Sequence, residues 1–236
     1  MPPTAADRAR RWKRAIAGGV GVPLILLGLV AVGHTRAARP ILAWMGASSP
    51  GCPVITDPGK VEAARVASLA PLRGSARAAS RPALKFRLMA STKGDALAWA
   101  KTSGISCGEE LAGAALRCRD VPASAAGAFA APAGEISDLM FRFDPAGTMV
   151  SLDAMYAGTS GEAAADSLDA IAGELTREVG PPAAPLGDHS AAYLTSAPYA
   201  QSGAQFRFVD YAADVTATNF GDKGIVVREQ YRAIPD

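Results

Sequence analysis

The stretch LMFRFDPAGTMVSLDAMY, residues 139–156, reads as two antiparallel strands and the turn between them. Leu139, Phe141 and Phe143 alternate with Met140 and Arg142. After the turn, Val150, Leu152, Ala154 and Tyr156 alternate with Ser151, Asp153 and Met155. A period of two sends successive side chains to opposite faces, so each strand has one apolar side and one mixed side. Between the strands stands Asp144-Pro145-Ala146-Gly147. Asp first, Pro second and Gly fourth is the chemistry of a type I turn.

The period changes immediately downstream. Thr159 and Glu162 have the spacing of a capping box. Ala164, Leu168, Ile171, Leu175 and Val179 then recur every three or four residues, while Asp166, Asp169, Glu174 and Arg177 fall off that stripe. This is an amphipathic helix, and Gly180-Pro181-Pro182 supplies its stop signal. A proline-rich loop over 181–198 leads to Phe206 and Phe208, which alternate with Arg207 and Val209. Residues 215–219 and 225–231 predict a second hairpin across 220–224.

Upstream, Leu84, Phe86 and Leu88 alternate with Lys85, Arg87 and Met89, which predicts a strand with one buried face. Ser91 or Thr92 caps a helix running to about Thr102, with Leu97 and Trp99 as its large apolar groups. Short strands follow near 106–109 and 115–121. Asp57-Pro58 opens a shorter helix that runs to about Leu69 and is ended by Pro71 and Gly74. A helix followed by strands thus occurs twice, over about 92–156 and again over 159–232. The expected class is α+β: antiparallel strands with helices packed on one face, in two helix-plus-strands halves.

Cys107 and Cys118 bracket the segment CGEELAGAALRC, a spacing that suits a disulfide in an oxidising compartment. A redox pair would stand closer, as in Cys-x-x-Cys, and a zinc site would need further ligands nearby. Cys52 is left over, either free or linking two chains.

The N-terminus carries a different signal. From Ala15 to Gly33 runs AIAGGVGVPLILLGLVAVG, about nineteen residues without a charge. At about 1.5 Å per residue such a helix covers a hydrocarbon core of about 30 Å. Arg8, Arg10, Arg11, Lys13 and Arg14 precede it, and the positive-inside rule then places the N-terminus in the cytoplasm and exports the remainder. The expected division is a basic cytoplasmic tail (1–14), a transmembrane signal anchor (15–33), a juxtamembrane linker with a short helix (34–82) and an extracytoplasmic α+β domain (83–236). Cleavage after Gly33, as in a signal peptide, is the alternative. The expected location is the inner (cytoplasmic) membrane, single-pass, with the C-terminal domain periplasmic or extracellular.

The formal charge of +2 belongs largely to that tail. Setting aside the first fourteen residues turns 24 basic and 22 acidic residues into 19 and 21. A near-neutral domain argues against nucleic acid as a partner. The basic stretch from Lys60 to Arg87 reads as a solvated linker or a contact with anionic headgroups or cell-wall polymer.

Candidate chemistry is sparse. His189, within Gly187-Asp188-His189-Ser190, offers triad residue types, but no Gly-x-Ser-x-Gly elbow accompanies it and a triad is defined by geometry. Glu109-Glu110 and Asp166/Asp169 are carboxylate pairs by residue type alone. Asp210 shares the alternation face of Phe206 and Phe208, which predicts a buried acid needing a partner. Arg207, Arg228 and Arg232 are the cations proposed for it, with Tyr211 and Tyr231 as donors. Arg207, Asp210, Tyr211, Arg228 and Tyr231 therefore form the candidate binding patch. No catalytic or metal site and no cofactor is expected. The functional expectation is a membrane-anchored, non-catalytic extracytoplasmic module with a binding or envelope-assembly role. Its partners are membrane lipid through the span and an envelope protein or polymer. An envelope hydrolase using carboxylates on the sheet is the alternative.

Overall fold

The structure, a computed structural model, describes residues 58–127 and 135–235. The expected basic tail, the span 15–33, the linker up to residue 57 and Cys52 lie outside the described residues. Among the described residues no helix is long and apolar enough to cross a membrane.

Helix α1 covers Pro58–Leu69, and two short paired stretches follow, β1 (Pro82–Ala83) and β2 (Phe86–Arg87). Helix α2 (Lys93–Thr102) then precedes four strands: β3 (Cys107–Glu110), β4 (Ala115–Pro122), β5 (Glu135–Phe143) and β6 (Met149–Thr159). A one-turn helix, α3 (Ala123–Ala126), follows β4. Helix α4 (Gly161–Val179) precedes four more strands: β7 (Ala184–Leu186), β8 (Gln201–Arg207), β9 (Tyr211–Asn219) and β10 (Ile225–Ala233). Helix α5 (Ala191–Thr195) lies between β7 and β8. The eight longer-range strands form one antiparallel sheet in the order β3-β4-β5-β6-β10-β9-β8-β7. Helices α2 and α4 therefore each lead a four-strand meander, and the meanders meet where β6 pairs with β10.

The hairpin at 139–156 forms because its turn satisfies its own backbone. Gly147 N donates to Asp144 O at 2.9 Å, and Thr148 N donates to Asp144 Oδ1 at 2.8 Å. Gly147 has φ +82°, a conformation open to glycine without a Cβ penalty. The β5–β6 register shifts by one residue at Arg142/Phe143, just before this turn.

One face of the sheet is covered by α2 and α4. Ala164, Leu168, Ile171, Leu175 and Val179 of α4 are buried, as are Ala96, Trp99 and Ala100 of α2. They share one core with Phe141, Leu152, Tyr156, Phe206, Val215, Val227 and Tyr231. At about 1.5–3 kcal/mol per fully buried large apolar side chain, the α4 stripe alone is a major source of stability. Phe86, Trp99 and Phe141 meet edge to face, with centroids 5.3–5.8 Å apart.

The helices do not all lie on one face. Leu69 of α1 packs with Ala212 and Ile234 in a separate small cluster. Both positions alternate with inward-facing neighbours, so α1 sits on the side away from α2 and α4. The expected strand around Leu84, Phe86 and Leu88 is also corrected. These side chains are buried as the alternation requires, but Leu84 and Met89 have φ +54° and +62°. The backbone turns back at both points, and only the two-residue stretches β1 and β2 pair.

Three local expectations shift. Thr92 caps α2 through a reciprocal pair with Asp95, but Leu97 is 41% exposed, because the buried face runs through Ala96, Trp99 and Ala100. Ser160, not Thr159, caps α4, accepting from Ala163 N at 3.2 Å. Thr159 is held in β6 opposite Ile225. The loop 181–198 contains β7 and α5, both too short to leave a periodic signal.

Candidate functional site

The antiparallel registers place the outward-facing residues on a grid. One row reads Ala115, Arg142, Ser151, Arg232, Ala212, Arg207 across β4, β5, β6, β10, β9 and β8. The next reads Arg117, Met140, Asp153, Gln230, Asp214, Gln205, and the third Arg119, Asp138, Met155, Arg228, Thr216, Gly203. Gly203 has a specific reason to be glycine: a Cβ there would stand 2.0 Å from Val215 O.

Charges on this face pair along the diagonals. Arg117 meets Asp138, with Nε donating to Oδ1 at 2.9 Å. Arg228 grips Asp153 with two donors, at 2.9 and 2.5 Å, and Gln230 Nε2 adds a third bond at 2.7 Å. Asp153 holds the Arg228 guanidinium above its ordinary value, against the opposing pull of burial. Asp214 accepts from Arg207 at 2.5 Å and from Arg232 at 2.8 Å. Side-chain pairs of this kind tie neighbouring strands together.

Part of this face is a groove of about 500 Å³. The sheet is its floor, with Met140, Arg142, Ser151, Asp153 and Met155 among the residues lining it. Arg65, Ser68 and Leu69 of α1 form a wall. Arg65 is fixed there by Glu62, with Nε–Oε2 at 2.8 Å. Five arginines line the groove against two aspartates, Asp138 and Asp153, so its lining is net cationic.

The structure separates the residues of the candidate patch. Arg207 and Arg228 lie on the outward face, while the Tyr211 and Tyr231 side chains are fully buried on the inward one. Asp210 is 7% exposed in the turn between β8 and β9. Its Oδ1 accepts from Ala78 N at 3.0 Å, and Arg77 stands 3.7 Å from Oδ2. The cations proposed for Asp210 are committed to other acids, Arg207 and Arg232 to Asp214 and Arg228 to Asp153. Tyr211 donates to Pro82 O at 2.8 Å.

The fully buried acid on the inward face is Glu229, at 0% exposure. Tyr156 Oη donates to Glu229 Oε1 at 2.7 Å, and Tyr231 Oη donates to Oε2. Burial raises the Glu229 carboxyl above its ordinary value, and the two phenol donors oppose that rise. Burial first, and then the Glu229 charge, push the Tyr231 phenol well up. The three side chains lie inside the core, and Glu229 and Tyr156 do not line the groove.

The remaining candidates are dispersed. His189 Nδ1 faces Asp169 Oδ1 at 2.8 Å, and Nε2 faces Gly203 O at 3.1 Å. Both partners only accept, so the doubly protonated ring satisfies both. Desolvation lowers the His189 value, but Asp169, the Gly203 carbonyl and Asp188 together raise it. Asp188 instead accepts from Ser190 N, closing a local turn. Glu109 pairs with Lys93 at 2.8 Å, and Glu110 stands 3.5 Å from Arg117. Among the described residues no three His, Cys, Asp or Glu side chains come together to hold a metal ion.

Cys107 and Cys118 form a disulfide across directly opposed positions of β3 and β4. Arg142, Ser151, Asp153 and Asp214 were not among the sequence candidates. Outward parity in β5, β6 and β9 marks them, but only the register brings them together. Comparison with protein-family models, curated proteins and solved structures finds no match to this chain.

Proposed function

We propose that this chain is a membrane-anchored, non-catalytic extracytoplasmic binding module, held at the inner membrane by residues 15–33, with the outward face of its sheet as the binding surface. The groove walled by α1 and floored by β5, β6 and β10 carries this reading. It offers apolar methionines beside ordered charges, the mixture that fixes orientation in a small-ligand or peptide site. Its two carboxylates, Asp138 and Asp153, are each bound by an arginine, whereas acid–base hydrolysis needs a carboxyl free to exchange a proton with substrate. The Cys107–Cys118 disulfide supports export.

A photo-crosslinking residue placed at Met155 in the native membrane should give a discrete adduct, and one placed at Thr176 on the exposed face of α4 should not. Equal adducts at both positions, or none at Met155, would remove the sheet face from the binding role. An alkaline-phosphatase fusion within residues 34–56 should be active; an active cytoplasmic reporter in its place would overturn the anchor orientation.

A further inference from the structure

Arg142 differs from the other arginines of the groove. Arg65 is bound to Glu62, Arg117 to Asp138, Arg228 to Asp153 and Arg232 to Asp214. Among the described residues nothing pairs with the Arg142 side chain, which is exposed at the groove. Arg142 and Arg232 both stand directly opposite Ser151, one on each neighbouring strand. Strands lie about 4.8 Å apart, so the two arginines flank the serine with about 10 Å between their backbones. Two extended arginine side chains are long enough to bridge that span to a single oxyanion above the serine hydroxyl. Arg232 uses Nη1 for Asp214, which leaves other donors of its five unspent.

We propose that Arg142, Ser151 and Arg232 form an anion site for a phosphoryl group, whose uncharged remainder lies along Met140, Met155 and Leu69. This rests on the groove being the binding face. Two guanidinium forks and a hydroxyl approach from three directions, which suits a tetrahedral oxyanion better than a planar carboxylate. No acid stands in the Ala115–Arg142–Ser151–Arg232–Ala212–Arg207 row, so the anion meets no like charge along it. A phospholipid headgroup and a soluble phosphate ester present the same chemistry.

The test uses the full chain, labelled with ¹³C at the methionine methyls, in nonionic detergent at constant ionic strength. Inorganic phosphate is one probe, and phosphatidylglycerol dispersed in the micelles, with phosphate-free diacylglycerol as control, is the other. Either anionic probe should shift the Met140 and Met155 methyls saturably, while exposed Met89 and core Met149 stay in place. Arg142→Gln should weaken that response at least ten-fold, with Met149 reporting an intact core, and Arg142→Lys should recover part of it. Saturation at lower concentration by lipid assigns a headgroup, and by phosphate a soluble ester; both support the site. Equal affinity in Arg142→Gln, a non-saturating shift, or equal shifts with diacylglycerol would overturn it. A Met155 crosslink that persists without any phosphate response removes the anion site and keeps the binding face. Saturable phosphate binding without a crosslink does the reverse.

Discussion

Replacing Glu229 by glutamine isolates a single buried carboxyl. The side chain is fully buried in the wild type and receives both tyrosine hydroxyls. Glutamine has nearly the same shape, and its amide both accepts and donates, so the tyrosines keep partners. The folded carboxyl holds its proton to higher pH than the unfolded one, because burial disfavours the charge. Between the two values the folded state binds more protons, so stability falls as pH rises. The contribution is fully present below the unfolded value of about 4.3 and is lost as pH climbs through the folded one. Each pH unit in that window removes up to about 1.4 kcal/mol. Urea denaturation from pH 4 to 8 should therefore show a falling stability in the wild type and a flatter profile in Glu229→Gln. His189 has the same sign, present below about 6.5 and lost as pH rises, so the comparison belongs in a His189→Gln background. Parallel profiles for the two proteins would refute the assignment of a raised carboxyl. Glu229→Ala should cost more, about 3–5 kcal/mol, because it leaves two phenols without a partner and opens a cavity.

Three further outcomes are expected. Leu168→Ala, on the fully buried stripe of α4, should destabilise by about 2–5 kcal/mol in urea melts; an unchanged midpoint would mean that stripe is not core. Reducing the Cys107–Cys118 bond, whose partners are 11 residues apart, should cost about 3 kcal/mol by loop entropy. Non-reducing peptide mapping should recover the linked pair, and two free thiols in the purified protein would contradict it. Ala112→Gly should stabilise by about 1 kcal/mol, since Ala112 lies at φ +54° in the β3–β4 loop; a loss of stability would show that its methyl group packs.

What the sequence revealed depended on the period of each element. The hairpin at 139–156 and helix α4 were legible because alternation of two and a recurrence of three to four are strong over their lengths. Leu84–Leu88 kept its burial pattern yet is not a strand of the eight-stranded sheet, since alternation reports which side chains are inside and not what the backbone pairs with. Glu229 had a signal, for it stands between Val227 and Tyr231 on inward parity, but an acid at such a position is easily passed over. Asp210 had that parity too, and the turn carried it to Ala78 and Arg77. The outward grid was out of reach for a different reason. Its Arg228–Asp153 pair and the row through Ser151 exist only once β10 lies against β6, a pairing between residues more than 60 positions apart that no local pattern encodes.

That same pairing sets an order on folding. β10 is the last of the described strands in sequence and yet occupies the middle of the sheet, between β6 and β9. Until residues 225–233 are free to pair, the first meander waits with the long edge of β6 open, its amides and carbonyls ready to pair with any extended chain. Contacts of such long sequence separation form slowly. Shortening β10 should leave that edge exposed and turn the protein into an aggregating chain well before it loses its helices.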